Sequence, residues 1–420
     1  MAMGLLERIQ DKRIIVFCGG GGVGKTSVSA ACALHLARQG KRVLVFTVDP
    51  ARRLADSLGV SDLDSIPRKV DLCSSQLPDA QNITGELWAL MINVKAVFDE
   101  QLYLFAPKKE IADRIVRNTF YQRLTESMSG LEEFLAMSKL HELVTRSDFD
   151  TIVVDTAPTK HAVDFLMVPQ RIVDFFQADV LKWFKMPMGL LKSSSSLLLN
   201  KGGKFVFNKI EEAIGVDFVN DLSAFLTDFD DLYDGLHERA NEIGKILRDS
   251  SQTIYGIIAR PTNTSVLESL HFSSRLEKLG MAVSFIVLNK TYSCEAMTPA
   301  DRIRLNQFQN DTNLRAKLAR LICEHDWLAT VEDSQRFVDD FFIALDMNEQ
   351  MMANHIHTIT YLKKVLNFPF YQRCIPLLDF DVHNIDGLFL LNHYLFEREC
   401  PSFCLATPLD MLVGEKFGEK

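Results

Sequence analysis

A chain of 420 residues with 47% hydrophobic and 24% charged side chains has the make-up of a soluble globular protein, with room for one large domain or roughly two to three small ones. Its net charge of −9 argues against general nucleic-acid binding, which calls for a basic surface. The N-terminus lacks an apolar stretch of signal-peptide type and no run of about 18 uncharged apolar residues occurs, so a cytoplasmic protein is expected.

An apolar run at 14–17 leads into a glycine-rich stretch, and a helical pattern over 27–38 follows. That helix carries Ala30, Ala31, Ala33 and Ala37, small enough for tight packing on a sheet, and Gly40 is placed to cap its end. Residues 42–48 (RVLVFTV) read as a buried parallel strand ending at Asp49-Pro50, and DPARRLADSLG begins a short helix. Residues 61–85 are polar and irregular, 87–92 return to strand, and 94–146 form a long helical tract with apolar spacings of three and four. The run 149–155 (FDTIVVD) is a strand closed by a carboxylate, and a second helical tract over 170–249 is broken by SSSSLLLNKGGK. Strands at 253–259 and 283–288 flank a helix over 265–279 capped at Gly280. Residues 300–367 are helical, 374–378 are a last strand, and 384–396 a last helix.

Apolar strands alternating with helices imply an α/β fold: a doubly wound, mostly parallel sheet covered on both faces. The expected organisation is a single domain over 1–420, with a core of approximately 1–93, 147–170, 250–299 and 368–396. Helical insertions of approximately 94–146, 170–249 and 300–367 exceed simple crossovers, and at least two of them are expected to build a subdomain above the C-terminal edge of the strands, where open α/β sheets bind ligands. The eight cysteines are scattered and form no CxxC pair, which reads as free or buried thiols in a reducing compartment.

The stretch IIVFCGGGGVGKTS carries the chemistry. Gly19, Gly24, Lys25 and Thr26 fit the phosphate-binding pattern of Gly, four residues, then Gly-Lys-Ser/Thr, between a strand and a helix. Gly20, Gly21, Gly22, Val23 and Ser27 complete the loop, whose glycines let successive backbone N–H groups turn toward one anion. Lys25 is expected to reach the β- and γ-phosphates, and the Thr26 hydroxyl to bind Mg²⁺. Three strand ends add polar groups. Asp49 follows one strand, Asp155 ends TIVVD in the manner of a carboxylate that holds Mg²⁺, and Asn289 ends SFIVLNK, where an amide suits the adenine edge. Each also suits a helix or turn cap.

The segments GGGGVGKTS, TVDPARRLADSLG, VVDTAPTKHAVDFL and VLNK resemble the ArsA-type anion-transporting ATPases, a family that includes the arsenite-pump ATPase and the ATPase that delivers tail-anchored membrane proteins. LWALMINVKAVFDE and DVHNIDGLFLL extend the resemblance, toward a bacterial branch. It implies a P-loop ATPase using ATP and Mg²⁺, with Thr26, Asp49 and Asp155 around the metal, Asp49 orienting the attacking water and Asn289 on adenine. Pro158, Thr159 and His161 would relay nucleotide state to the helical subdomain. It also implies a homodimer, or a heterodimer with a related ATPase, and a membrane-protein client or membrane transport partner. One position departs from the pattern: where the family carries a lysine that crosses to the partner's nucleotide (GKGGVGKT), this chain has Gly20. Lys160, Arg52 and Arg53 are the candidates to supply the missing charge, because phosphoryl transfer needs positive charge on its transition state. Surface-solvated cations are the bland alternative for all three.

Residues 171–192 (RIVDFFQADVLKWFKMPMGLLK) are dense in Phe, Trp, Met and Leu. Such a stripe reads as core packing of a helix pair, or as an adaptable apolar groove for a hydrophobic client. Asp174 and Asp179 make a membrane-surface helix the less attractive reading.

Overall fold

In the computed structural model the apolar runs become the strands of one sheet: β1 (Ile14–Gly19), β2 (Arg42–Thr47), β3 (Arg68–Lys69), β4 (Glu86–Met91), β5 (Thr151–Asp155), β6 (Thr253–Ala259), β7 (Val283–Thr291) and β8 (Tyr371–Pro376). Their order is β3-β4-β2-β5-β1-β6-β7-β8, and every pairing is parallel except β3–β4 at one edge. The structure describes residues 4–49, 51–61, 63–72, 83–106, 108–118, 131–146, 148–156, 166–167, 238–239, 241–292, 307–325, 327–365, 371–378 and 381–397.

Strands β1, β5 and β6 are buried along their whole length, which explains why they read as unbroken apolar runs rather than alternating ones. Their pleat still sorts side chains by face: Ile14, Val16 and Cys18 enter one core, Ile15 and Phe17 the other. The helices are α1 (Leu5–Ile9), α2 (Lys25–Arg38), α3 (Arg53–Leu58), α4 (Val94–Phe105), α5 (Lys109–Arg117), α6 (Leu131–Arg146), α7 (Asn263–Lys278), α8 (Thr312–Glu324), α9 (Val331–Val365) and α10 (Ile385–Asn392). Side chains of α2, α3 and α10 pack with Ile15 and Phe17; those of α4, α6, α7 and the end of α9 pack with Ile14 and Val16. The alanines of α2 are fully buried against the sheet. At its end Gly40 takes φ +87°, donates to Ala37 O at 3.0 Å, and Lys41 donates to Leu36 O at 3.3 Å, so the helix stops where the glycine permits a left-handed turn.

Several boundaries differ from the sequence reading. Helix α2 starts at Lys25, because the loop turns straight into the helix at Gly24. The tract over 94–146 divides into α4, α5 and α6, and β3 is a two-residue edge strand within the stretch read as irregular. Strand β7 continues to Thr291, past the expected end at 288, with a register shift against β8 and Lys290 at φ +61°. Among the described cysteines Cys18, Cys32 and Cys323 are free thiols, as expected, whereas Cys374 is disulfide-bonded, which linear spacing cannot report. The stretch 171–192 lies outside the described residues, and so do Pro158, Thr159, Lys160 and His161.

Candidate active site

The sheet register sets the site. Phe17 on β1 and Thr47 on β2 both lie level with Asp155 on β5, so the C-terminal ends of three adjacent strands finish together. The chain leaves β1 for one side of the sheet and returns to its other side at β6, and the loop after β1 opens at that reversal.

The loop's glycines are required by their surroundings. A Cβ on Gly19 would sit 2.1 Å from the Ile258 carbonyl oxygen, and one on Gly24 would sit 2.3 Å from Asn289 Nδ2. Gly21 and Gly22 instead have nothing within 4 Å of a notional Cβ and line an open cleft of about 390 Å³ with Lys25, Thr26, Ser27 and Asp49. Gly24, at φ +93°, is the N-cap of α2 and brings no side chain to bond the first-turn N–H groups, which leaves that helix end with its positive dipole at the cleft. Such an arrangement can hold a polyphosphate.

Lys25 is buried, and its Nζ donates to Gly19 O at 3.0 Å and Gly20 O at 2.8 Å. Burial lowers its pKa, and the carboxylate of Asp155 opposes that shift. Asp155 is itself fully buried, which raises its carboxyl pKa to about 6 against the pull of Thr26, Lys25 and Thr47. Both hydroxyls bond the same oxygen: Thr26 Oγ1 donates to Asp155 Oδ2 at 2.8 Å and Thr47 Oγ1 at 3.1 Å. Oδ1, equally buried, has no hydrogen-bond partner. A buried carboxylate beside a threonine hydroxyl, with one oxygen unbonded, fits the donor set of a hard divalent cation held by oxygen. Asp49 accepts from the Ala51 N–H at 2.9 Å, an Asx turn that aims its carboxylate along the cleft wall.

The structure thus brings together the whole loop, Asp49, Asp155 and Asn289. Asn289 also takes a structural part: its Nδ2 donates to Val23 O at 2.8 Å, pinning the phosphate loop to β7. Of the three cations weighed for the missing lysine, the exposed Arg53 lines the cleft. Thr47 was missed by sequence reasoning, although its level position beside Asp155 follows once strand order is known. The far wall was missed too. Pro376, Leu377, Leu378 and Val382, with Asp381 and His383, face the loop from the end of β8 and beyond. Their signal was positional, the C-terminal end of a strand beside β7.

Comparison with known proteins bears on this geometry directly. The family model described as anion-transporting ATPase matches residues 12–314, most of the chain and all of the cleft except its β8 wall. The chain belongs to that family. Relatives include the ATPase GET3C of Arabidopsis thaliana, 25% identical over 73% of this chain and 76% of the relative, and the ATPase GET3B of the same plant, 28% identical over 66% and 64%. A putative arsenical pump-driving ATPase of Chlorobaculum tepidum is 25% identical over 66% of this chain and 61% of the relative. As an anion-transporting ATPase the protein is an ATP-using enzyme on an α/β sheet. Among the described residues, no helix is long and apolar enough to cross a membrane.

Proposed function

We propose that the cleft binds and hydrolyses ATP with Mg²⁺, and that the energy drives a switch in a cytoplasmic, dimeric protein. The observation that carries this reading is the pair of threonine hydroxyls on Asp155 Oδ2 beneath the glycine loop, with Oδ1 left over. Backbone N–H groups of 20–24 and the N-terminus of α2 hold the phosphates, and Lys25 moves from the loop carbonyls onto the β- and γ-phosphate oxygens. Thr26 and Asp155 would hold the metal ion, which would supply charge neutralisation to the bound phosphates. Asp49 orients the attacking water, and Asn289 secures the loop while facing the base pocket. Arg53 supplies positive charge from the opposite wall. The tracts at 94–146, 170–249 and 300–367 are the parts that answer to nucleotide, through contacts that γ-phosphate orders and hydrolysis releases.

What the switch moves is either an anion passed to a membrane partner or a hydrophobic membrane-protein client. Gly20 favours a second reading of the catalytic unit, because a chain without the crossing lysine suits activation by a related subunit that brings its own cation. The deciding experiment is steady-state ATP turnover of the wild type and Asp49→Asn over a range of protein concentrations. Turnover per chain that climbs with concentration and collapses in the variant supports a dimer-assembled site. Turnover independent of concentration supports a self-sufficient chain. Background turnover in both, with ATP still bound, moves the reading to a scaffold or a partner-activated enzyme.

A further inference from the structure

The end of β7 departs from a regular strand where it meets the cleft. Leu288 pairs with Cys374 and Thr291 with Pro376, so three steps along β7 answer two along β8 and one residue bulges out. Lys290 takes up the excess at φ +61°, and among the described residues no other side chain beyond glycine sits at positive φ. A residue with a Cβ is strained there, and such a conformation persists only where its surroundings fix it. Its neighbours on both sides are pinned. Asn289 Nδ2 donates to Val23 O at 2.8 Å, and Asn289 Oδ1 accepts from the Lys290 N–H at 3.0 Å. Thr291 Oγ1 donates to Ile375 O at 3.0 Å, Thr291 O accepts from the Leu377 N–H at 2.8 Å, and the Tyr292 N–H donates to His355 Nδ1 at 3.2 Å. Successive residues of a regular strand face opposite sides of the sheet, yet Asn289 and Lys290 both line the nucleotide cleft. Lys290 is half-buried, and among the described residues no carboxylate pairs with its ammonium.

We propose that Lys290 is a nucleotide ligand on the nucleoside side of the cleft, its stem along the base and its ammonium on the α-phosphate. The strand order decides which end of the nucleotide it serves. Between β5, which carries Asp155, and β7 lie β1 and β6, so three strand spacings of about 4.8 Å, roughly 14 Å, separate Lys290 from the carboxylate that faces the metal and the γ-phosphate. Lys290 instead follows Asn289 directly and lies beside Pro376 and Leu377, the apolar wall that suits a base. A glycine would adopt φ +61° without strain, so the turn itself does not call for a lysine; the side chain does. The nearby carboxylate of Asp381 already faces His383, with Nε2 3.5 Å from Oδ2, which leaves the Lys290 charge for an anion that enters the cleft. Because α-phosphate and base are the same in substrate and product, the contact holds ATP and ADP alike and contributes affinity rather than rate.

The inference rests on the reading of the cleft as an ATP site, and the two fail in different ways. The measurement is isothermal titration of the full chain with ATP and with ADP, each in the presence of Mg²⁺. K290A should weaken both nucleotides by the same factor, about tenfold, as loss of a charged hydrogen bond does. Its kcat at saturating ATP should stay within about twofold of wild type. K290R keeps the cation and should bind within about threefold of wild type. K290G removes the same side chain but relieves the turn. Without nucleotide it should therefore melt at a higher temperature than K290A, while binding both nucleotides as weakly. A lysine that served only the fold would give the opposite pattern, with K290G binding as tightly as wild type. A wild type that binds neither nucleotide overturns the ATP reading and this inference together. A wild type that binds both, with K290A equally tight or weakened for ATP alone, overturns only the role given to Lys290.

Discussion

Thr47 Oγ1 donates to Asp155 Oδ2 at 3.1 Å while accepting from the Asp49 backbone N–H at 3.2 Å, so one hydroxyl ties the Asp155 carboxylate to the backbone that carries Asp49. Thr47→Val keeps the shape and removes the hydroxyl, which strands the Asp49 N–H and takes a donor from a buried carboxylate. We expect a stability loss of about 1–2 kcal/mol and ATP turnover reduced roughly tenfold, with more Mg²⁺ needed for half-maximal rate. Thr47→Ser should recover most of both. A Mg²⁺ titration of turnover for the three proteins checks this; identical curves would show the hydroxyl to be dispensable.

Asn289 and Gly24 fit together without space to spare, and that contact separates two roles for the asparagine. If it holds the loop, damage appears before any nucleotide is added. Asn289→Asp places an oxygen against the Val23 carbonyl and should lower the melting temperature of nucleotide-free protein more than Asn289→Ala, which costs about 1–2 kcal/mol. Gly24→Ala, at φ +93° and 2.3 Å from Nδ2, should abolish ATP binding and destabilise the fold by about 1–3 kcal/mol. Nucleotide-free melts unchanged in all three variants would confine Asn289 to base recognition.

Much of this site was legible in the sequence because the loop, its strand and its helix are contiguous, and local spacing fixes their geometry. Asp155 was legible as the polar end of an apolar run. Thr47 was not, because its role depends on β2 lying beside β5, a neighbour relation between segments over a hundred residues apart. The wall from β8 was hidden for the same reason. Asn289 was read as the end of a strand, but β7 runs on through an irregular register that turns the amide toward the loop, and such irregularities leave little trace in hydrophobic pattern.

Arg52 and Arg53 are adjacent in sequence and both exposed, yet Arg53 is the one on the cleft wall. Arg53→Ala should therefore lower kcat by about tenfold to a hundredfold with a smaller change in KM, since a cation that meets charge developing at the phosphate acts on the transition state. Arg52→Ala should stay within about twofold of wild type. Single-turnover rates at saturating ATP distinguish them, and equal effects would return the question to Lys160 or to a partner's cation.

His35 on α2 lies stacked on Phe396 with ring centroids 3.8 Å apart, and neither ring nitrogen has a hydrogen-bond partner. Burial, aided by the nearby Arg38 and opposed by Glu397, pushes its pKa down from 6.5 to about 4. The folded state therefore favours the neutral ring more than the unfolded chain does. Its contribution is fully present above about pH 6.5 and is lost as pH falls toward about 4, a loss on the order of 2–3 kcal/mol. His35→Phe preserves the stacked ring and cannot take up a proton. Urea unfolding at pH 7 and pH 4.5 should show the wild type losing this increment relative to His35→Phe, and the helix α2–C-terminal junction loosening first by hydrogen exchange. Parallel losses in both proteins would place the acid sensitivity elsewhere.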